Sequence, residues 1–160
     1  MRLDKKQKHS AKLNTAIGLC SNDCVMVMNP DDFFYEKGFG LVVRELLRSE
    51  KECVGMIHYG CFDINNYISV INISPKNTEY SHQVYTGSLC FYKKFWEELK
   101  LDESYDNHPG SFLRNRLPRF SEITYSSVMV GLIHTRNNNI RKTDTTEPNG
   151  CHFNFSKKLF

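Results

Sequence analysis

Cys24-Val25-Met26-Val27-Met28-Asn29-Pro30-Asp31-Asp32-Phe33-Phe34 is the stretch on which the reading of this chain turns. Residues 24–28 are an unbroken apolar run, short for a helix and suited to a strand buried on both faces. They predict a central strand of a sheet. The run stops at Asn29-Pro30, because proline cannot continue a central strand. Asp31 and Asp32 follow directly, and adjacent carboxylates repel unless solvent or a cation intervenes. An apolar strand therefore delivers an acidic turn to the carboxyl edge of a sheet, where open α/β sheets bind ligands. Hard divalent cations such as Mg²⁺ or Mn²⁺ take oxygen ligands of this kind and share them with diphosphates. The plainer alternative is that Asp31 or Asp32 caps the next helix.

Outward from this turn, residues 4–20 read as a helix with Ala11, Leu13, Ala16, Ile17 and Cys20 on its apolar side. Ser21-Asn22-Asp23 breaks it. On the far side, residues 37–49 read as a second helix, with Phe39, Val42, Val43, Leu46 and Leu47 on the face that packs on the sheet. Two strands are expected at 52–62 and 67–73, with a hairpin turn at Asn65-Asn66. After an irregular polar stretch at 74–86 come a short strand at 88–92, a short helix at 93–100, a polar loop at 101–111 and a short helix at 111–117 that stops at Pro118. Residues 122–134 read as one long strand. Helices alternating with buried strands, then hairpins, indicate an α/β protein with a mixed sheet flanked by helices. The division expected is a single domain over residues 1–142 and a polar, basic C-terminal tail over 143–160.

The 160 residues are 40% hydrophobic, enough for one real core. The net charge of +3 is mild and its basic residues are dispersed, which argues against nucleic acid as a partner. Lys5, Lys6, Lys8 and Lys12 form one local basic run, and Lys157-Lys158 another; both suit solvated surface. No apolar run is long enough for a membrane span, and no apolar segment follows the charged start as a signal peptide requires. A reducing, cytoplasmic setting is the expectation. Cys20, Cys24, Cys53, Cys61, Cys90 and Cys151 fit it as free thiols, being scattered among apolar segments. Neither Cys20 with Cys24 nor Cys53, His58 and Cys61 makes a four-ligand zinc pattern. The sequons at Asn72 and Asn154 have no consequence without secretion.

Four pieces recur in order along the chain: the strand and turn ending Asn29-Pro30-Asp31-Asp32-Phe33-Phe34; Leu46-Leu47-Arg48-Ser49 followed by Val54-Gly55; Gly87-Ser88-Leu89-Cys90-Phe91-Tyr92-Lys93-Lys94-Phe95-Trp96; and His134-Thr135-Arg136-Asn137. From Lys8 to Arg141 the chain resembles the second half of a family 2 glycosyltransferase with the fold termed GT-A, whose strand ends in an Asp-x-Asp turn. The resemblance implies a truncated GT-A-like fold, a nucleotide-sugar donor, a glycan or protein acceptor, and a divalent cation, Mg²⁺ or Mn²⁺. It implies that Asp31, Asn29 and His134 hold the cation. Asp31, Asp32, Gly87, Ser88 and Arg136 would hold the metal-bridged donor and line the acceptor side. The proton of the acceptor would go to a residue of the 102–108 loop, with Asp106, His108 and Glu103 as candidates.

The chain also departs from the family. Asn29 replaces the first metal-binding aspartate, and an amide oxygen is a weaker ligand for a hard cation than a carboxylate. The place of the family's Gly-Glu-Asp base falls on Asn107-His108-Pro109. The strands that grip the nucleotide base in that family precede the Asp-x-Asp strand by many tens of residues, whereas here the strand begins at Cys24. The resemblance thus leaves two expectations. One is a transferase, impaired by these losses. The other is a non-catalytic binding or structural module, with a protein partner or a second copy completing the fold. Three readings stay plain: His134 as a hydrogen-bonded strand end, Trp96 as core, and Arg136, Arg141 and Lys142 as surface charge.

Overall fold

Residues 24–27 bury side chains on both faces of one strand, which lies at the edge of a sheet among the described strands, and Met28 beyond it is exposed. The computed structural model describes residues 7–72, 84–104, 110–113, 115–124, 128–135 and 150–152. In chain order its elements are α1 (His9–Leu19), β1 (Cys24–Met26), β2 (Phe33–Phe34), α2 (Gly38–Arg48), β3 (Cys53–Gly55), β4 (Tyr59–Asp63), β5 (Ile68–Asn72), β6 (Cys90–Tyr92), α3 (Lys93–Glu98), α4 (Gly110–Leu113), β7 (Phe120–Glu122), β8 (Met129–Ile133) and β9 (Gly150–His152). The result is an α/β protein with two mixed sheets.

The first sheet has the order β1-β6-β3-β7, with β1 antiparallel to β6, β6 antiparallel to β3, and β3 parallel to β7. Val25 and Val27 point into a core with Ile17 of α1, Phe95 and Trp96 of α3, and Phe112 of α4. Cys24 and Met26 point the other way, against Val42 and Leu46 of α2 and residues of the second sheet. Two buried faces thus account for the apolar run, and β6 is the only neighbour of β1 among the described strands. The expected central position is corrected: covering both faces with helices and a second sheet needs no second flanking strand.

The second sheet has the order β2-β8-β4-β5-β9. Within it β4 alternates, with Tyr59, Cys61 and Asp63 buried and Gly60 and Phe62 less so, whereas Met129, Val130 and Gly131 of β8 are buried in succession. The β4–β5 hairpin turns where Asn65-Asn66 predicts it. Asp63 builds that turn by accepting the Asn65 and Asn66 backbone N–H groups at 2.9 and 3.1 Å and the Asn66 side-chain amide at 2.8 Å. Burial acts to raise its pKa, but these donors outweigh it and the net shift is downward. Residues 150–152, in the segment read as a tail, pair with β5.

The strand expected at 52–62 divides into β3 and β4, and of the strand expected at 122–134 only the later part, β8, is a strand, β7 ending at Glu122, where the expected strand begins. β3 runs parallel to β7 in the first sheet, and β4 parallel to β8 in the second. Residues 56–58, between β3 and β4, pass from one sheet to the other. At the passage the Ile123 amide donates to the Gly55 carbonyl at 2.8 Å, and His58 Nδ1 lies 2.7 Å from Glu122 Oε1. Residues 29–32 make the same passage from β1 to β2.

The helices correct the expected faces. In α2 the buried residues are Gly38, Val42, Glu45 and Leu46, while Phe39, Val43 and Leu47 are exposed. Gly38 sets this rotation. A Cβ placed there would lie 2.5 Å from the Val128 carbonyl oxygen, so the helix start is pressed against backbone that only glycine accommodates. Full burial of Val42 and of Leu46 each contributes roughly 1.5–3 kcal/mol. In α1 the buried residues are Ser10, Asn14 and Ile17, and Ala16 is exposed. Asn14 explains the polar interior of that contact. Its side chain donates to the Leu101 carbonyl (2.8 Å) and Glu103 Oε1 (2.9 Å), and accepts from Trp96 Nε1 (2.9 Å) and the Leu101 amide (3.0 Å). Trp96 is core, as its plainer reading had it. No helix among the described residues is long and apolar enough to cross a membrane.

Candidate functional site

The β1 ladder runs one residue past the strand, with the Val27 amide on the Leu89 carbonyl at 2.8 Å. Pro30 then ends it, and the Asp32 amide reaches back to the Asn29 carbonyl at 3.4 Å. The turn leads into β2, a strand, so neither aspartate caps a helix. The helix that does follow, α2, has Lys37 at its N-cap and no side-chain cap.

Asp32 instead joins three segments. Its Oδ1 accepts the Leu132 backbone N–H in β8 at 3.0 Å, and its Oδ2 accepts the Tyr85 hydroxyl. Tyr85 in turn accepts Asn29 Nδ2 at 2.5 Å. Asp31 stands beside this network, its Oδ2 3.8 Å from His134 Nε2, just beyond the end of β8. Asp31 is the more open of that pair, with its side chain 42% exposed against 23% for His134.

Tyr85 is itself held from three sides. Its amide donates to the Met56 carbonyl at 2.8 Å, and its ring stacks on Tyr59 at 4.4 Å between centroids. Its carbonyl accepts the Ser88 hydroxyl at 2.7 Å. Ser88 is fully buried and also accepts the Met56 amide at 2.8 Å, so its hydroxyl serves the backbone of this turn. Gly87 sits in a 3₁₀ turn at Thr86–Ser88. A Cβ on it would lie 2.9 Å from both Asn29 Cγ and a Tyr85 ring carbon. Glycine is what allows this turn to close on the acidic one.

Of the residues singled out in the sequence, the structure brings together Asn29, Asp31, Asp32, Gly87, Ser88 and His134. Glu103 is engaged elsewhere, on Asn14 of α1 through the loop anchored by buried Leu101. Asp106, His108 and Arg136 lie outside the described residues. Tyr85 is the residue that sequence reading missed. It falls at the end of the irregular 74–86 stretch, where no periodicity points to it; its only signal is its place two residues before Gly87.

The donor set suits a hard divalent cation in part. Asp31 supplies a carboxylate, and Asn29, its Nδ2 spent on Tyr85, retains Oδ1 as an acceptor. His134 adds an imidazole, better matched to Mn²⁺ than to Mg²⁺. Among the described residues no group of three or more His, Cys, Asp or Glu side chains converges. A cation here would need further oxygens, of the kind a diphosphate carries. The sequence matches no protein-family model and is similar to no curated protein.

Proposed function

We propose that this chain is a glycosyltransferase-like protein with a truncated GT-A-like fold, which binds a nucleotide-sugar donor at the 29–32 turn and transfers poorly on its own. One observation carries the reading. Asn29, Asp31, Asp32, Gly87 and His134, named from three separate pieces of sequence, lie just past the carboxyl end of β1, where Tyr85 bridges Asn29 and Asp32 against Gly87 and Asp31 approaches His134. Asp31, with Asn29 and His134, would hold Mg²⁺ or Mn²⁺, and the ion would supply positive charge to the departing diphosphate. Asp32 orders the turn. The acceptor, a glycan or protein hydroxyl, would approach from the Gly87 side, and the proton would pass to the 102–108 loop.

The alternative is a non-catalytic binding module that works with a protein partner or a second copy. It is favoured by the Asp32 carboxylate, which already receives two donors, and by Asn29, which lowers the charge available to a cation.

Calorimetric titration with uridine and guanosine diphosphates, with and without Mn²⁺, tests both. Mn²⁺-dependent binding that Asp31→Ala abolishes supports the shared site. Turnover of nucleotide sugars by the purified protein then selects the transferase, and binding without turnover selects the module. No diphosphate binding in either condition refutes the reading.

A further inference from the structure

Cys24 and Cys90 place their sulfur atoms 3.5 Å apart across β1 and β6. The register explains the meeting. Cys24 lies opposite Tyr92, and Met26 opposite Cys90, so Cys24 and Cys90 share one face as diagonal neighbours. Both belong to the side of the first sheet that faces α2. Cys90 is fully buried, whereas Cys24 is partly exposed. Other cysteines differ: Cys53 points into the opposite core, Cys61 is buried in β4, Cys20 lies just past α1, and Cys151 pairs with Ile71 in the second sheet.

We propose that Cys24 and Cys90 form a reversible oxidative modification site, a dithiol that a low-molecular-weight disulfide such as glutathione disulfide converts to a disulfide joining β1 to β6. In the first step the Cys24 thiolate attacks glutathione disulfide; a Cys24–glutathione S–S bond forms, and one glutathione leaves as thiolate and takes up a proton. In the second, Cys90 loses its proton and attacks the Cys24 sulfur. The Cys24–Cys90 bond forms and the second glutathione leaves. Two protons and two electrons pass from the protein thiols to the glutathione disulfide, yielding two glutathione thiols.

The geometry sets the character of the bond. A disulfide requires the sulfurs to close to about 2.05 Å, and diagonal positions are wider than the spacing an unstrained disulfide prefers. Such a bond is easily reduced, which suits a switch more than a permanent staple. The adjustment falls on β1, an edge strand hydrogen-bonded to β6 alone among the described strands. Burial holds the Cys90 thiol above its ordinary range, with Cys24 beside it adding to the shift, so the second step is the slow one. Closure would tie the strand entering the 29–32 turn to the strand leaving the 85–88 turn.

The test is incubation of the native protein with glutathione disulfide, then alkylation and digestion without reduction. The expected product is one cross-linked peptide containing Cys24 and Cys90, lost on treatment with dithiothreitol and absent from Cys24→Ser. Circular dichroism before digestion confirms that the protein is folded. In folded protein, Cys24 that stops as its glutathione adduct, both thiols recovered alkylated, or a Cys20–Cys24 cross-link instead would each overturn the proposal.

Discussion

The Tyr85 hydroxyl donates to the Asp32 carboxylate across 53 positions of sequence, and this single bond closes the candidate site. It fixes Asp32 where its other oxygen takes the Leu132 amide, and it presents the phenol oxygen to Asn29. Tyr85→Phe keeps the ring on Tyr59 and removes the bridge. The expected loss is about 1–3 kcal/mol, because a charged acceptor and an amide donor both lose their partner. Urea denaturation measures it. Unchanged stability would mean that solvent replaces the phenol without cost.

Asn14 is the corresponding anchor on the other side of the first sheet. Asn14→Leu keeps the branched outline of the side chain but leaves the Trp96 indole N–H and both Leu101 backbone groups without their partner. Each buried group so stranded costs about 1–3 kcal/mol, so a loss of about 3 kcal/mol or more is expected. Trp96 fluorescence should report the altered surroundings in the folded variant. A loss below about 1 kcal/mol would show that the network is not what seats α1.

The rotation of α2 has an opposite pair of consequences. Gly38→Ala places a Cβ against the Val128 backbone and should cost about 1–3 kcal/mol by overpacking. Leu47, 66% exposed despite its place in the apolar stripe, should accept Asp within about 0.5 kcal/mol. Thermal denaturation of both variants separates this face from the one the stripe suggests, for which the ranking would reverse.

Acid stability should depend on Arg119. Its guanidinium donates to Glu98 at 2.6 and 2.9 Å and also to Glu52. Arg116, stacked 3.9 Å over Phe95, donates to Glu98 as well, at 2.8 Å. Hydrogen bonds from Arg119 lead the shift that takes Glu98 from 4.5 down to about 2, and they also lower Glu52. A folded-state pKa below the unfolded one means stabilisation that is complete above pH 4.5 and fades as pH falls toward 2. Arg119→Gln should flatten the pH dependence in that window. Added salt should weaken the wild-type effect, because Glu98 is exposed to solvent. Superimposable pH profiles for variant and wild type would contradict the assignment.

Local pattern decided a definite part of this molecule. The apolar run at 24–28 foretold a strand with two buried faces, and Asn65-Asn66 foretold the hairpin, since both depend on neighbours within a few residues. Asn29-Pro30-Asp31-Asp32 foretold an acidic turn at a strand end. Pattern was silent on what tertiary pairing alone supplies. Hydrophobicity records that a face is buried without naming what covers it, so β1 could not be told from a central strand. Residues 52–62 read as a single strand because the passage between two sheets leaves both β3 and β4 with apolar residues. In α2 the helical stripe was outweighed by one close backbone approach at Gly38. Tyr85 became a site residue only when the fold carried it to Asn29, 56 positions away, and Leu132 to Asp32, 100 positions away. Such contacts are written in no window of sequence, because their partners meet only after both sheets have formed.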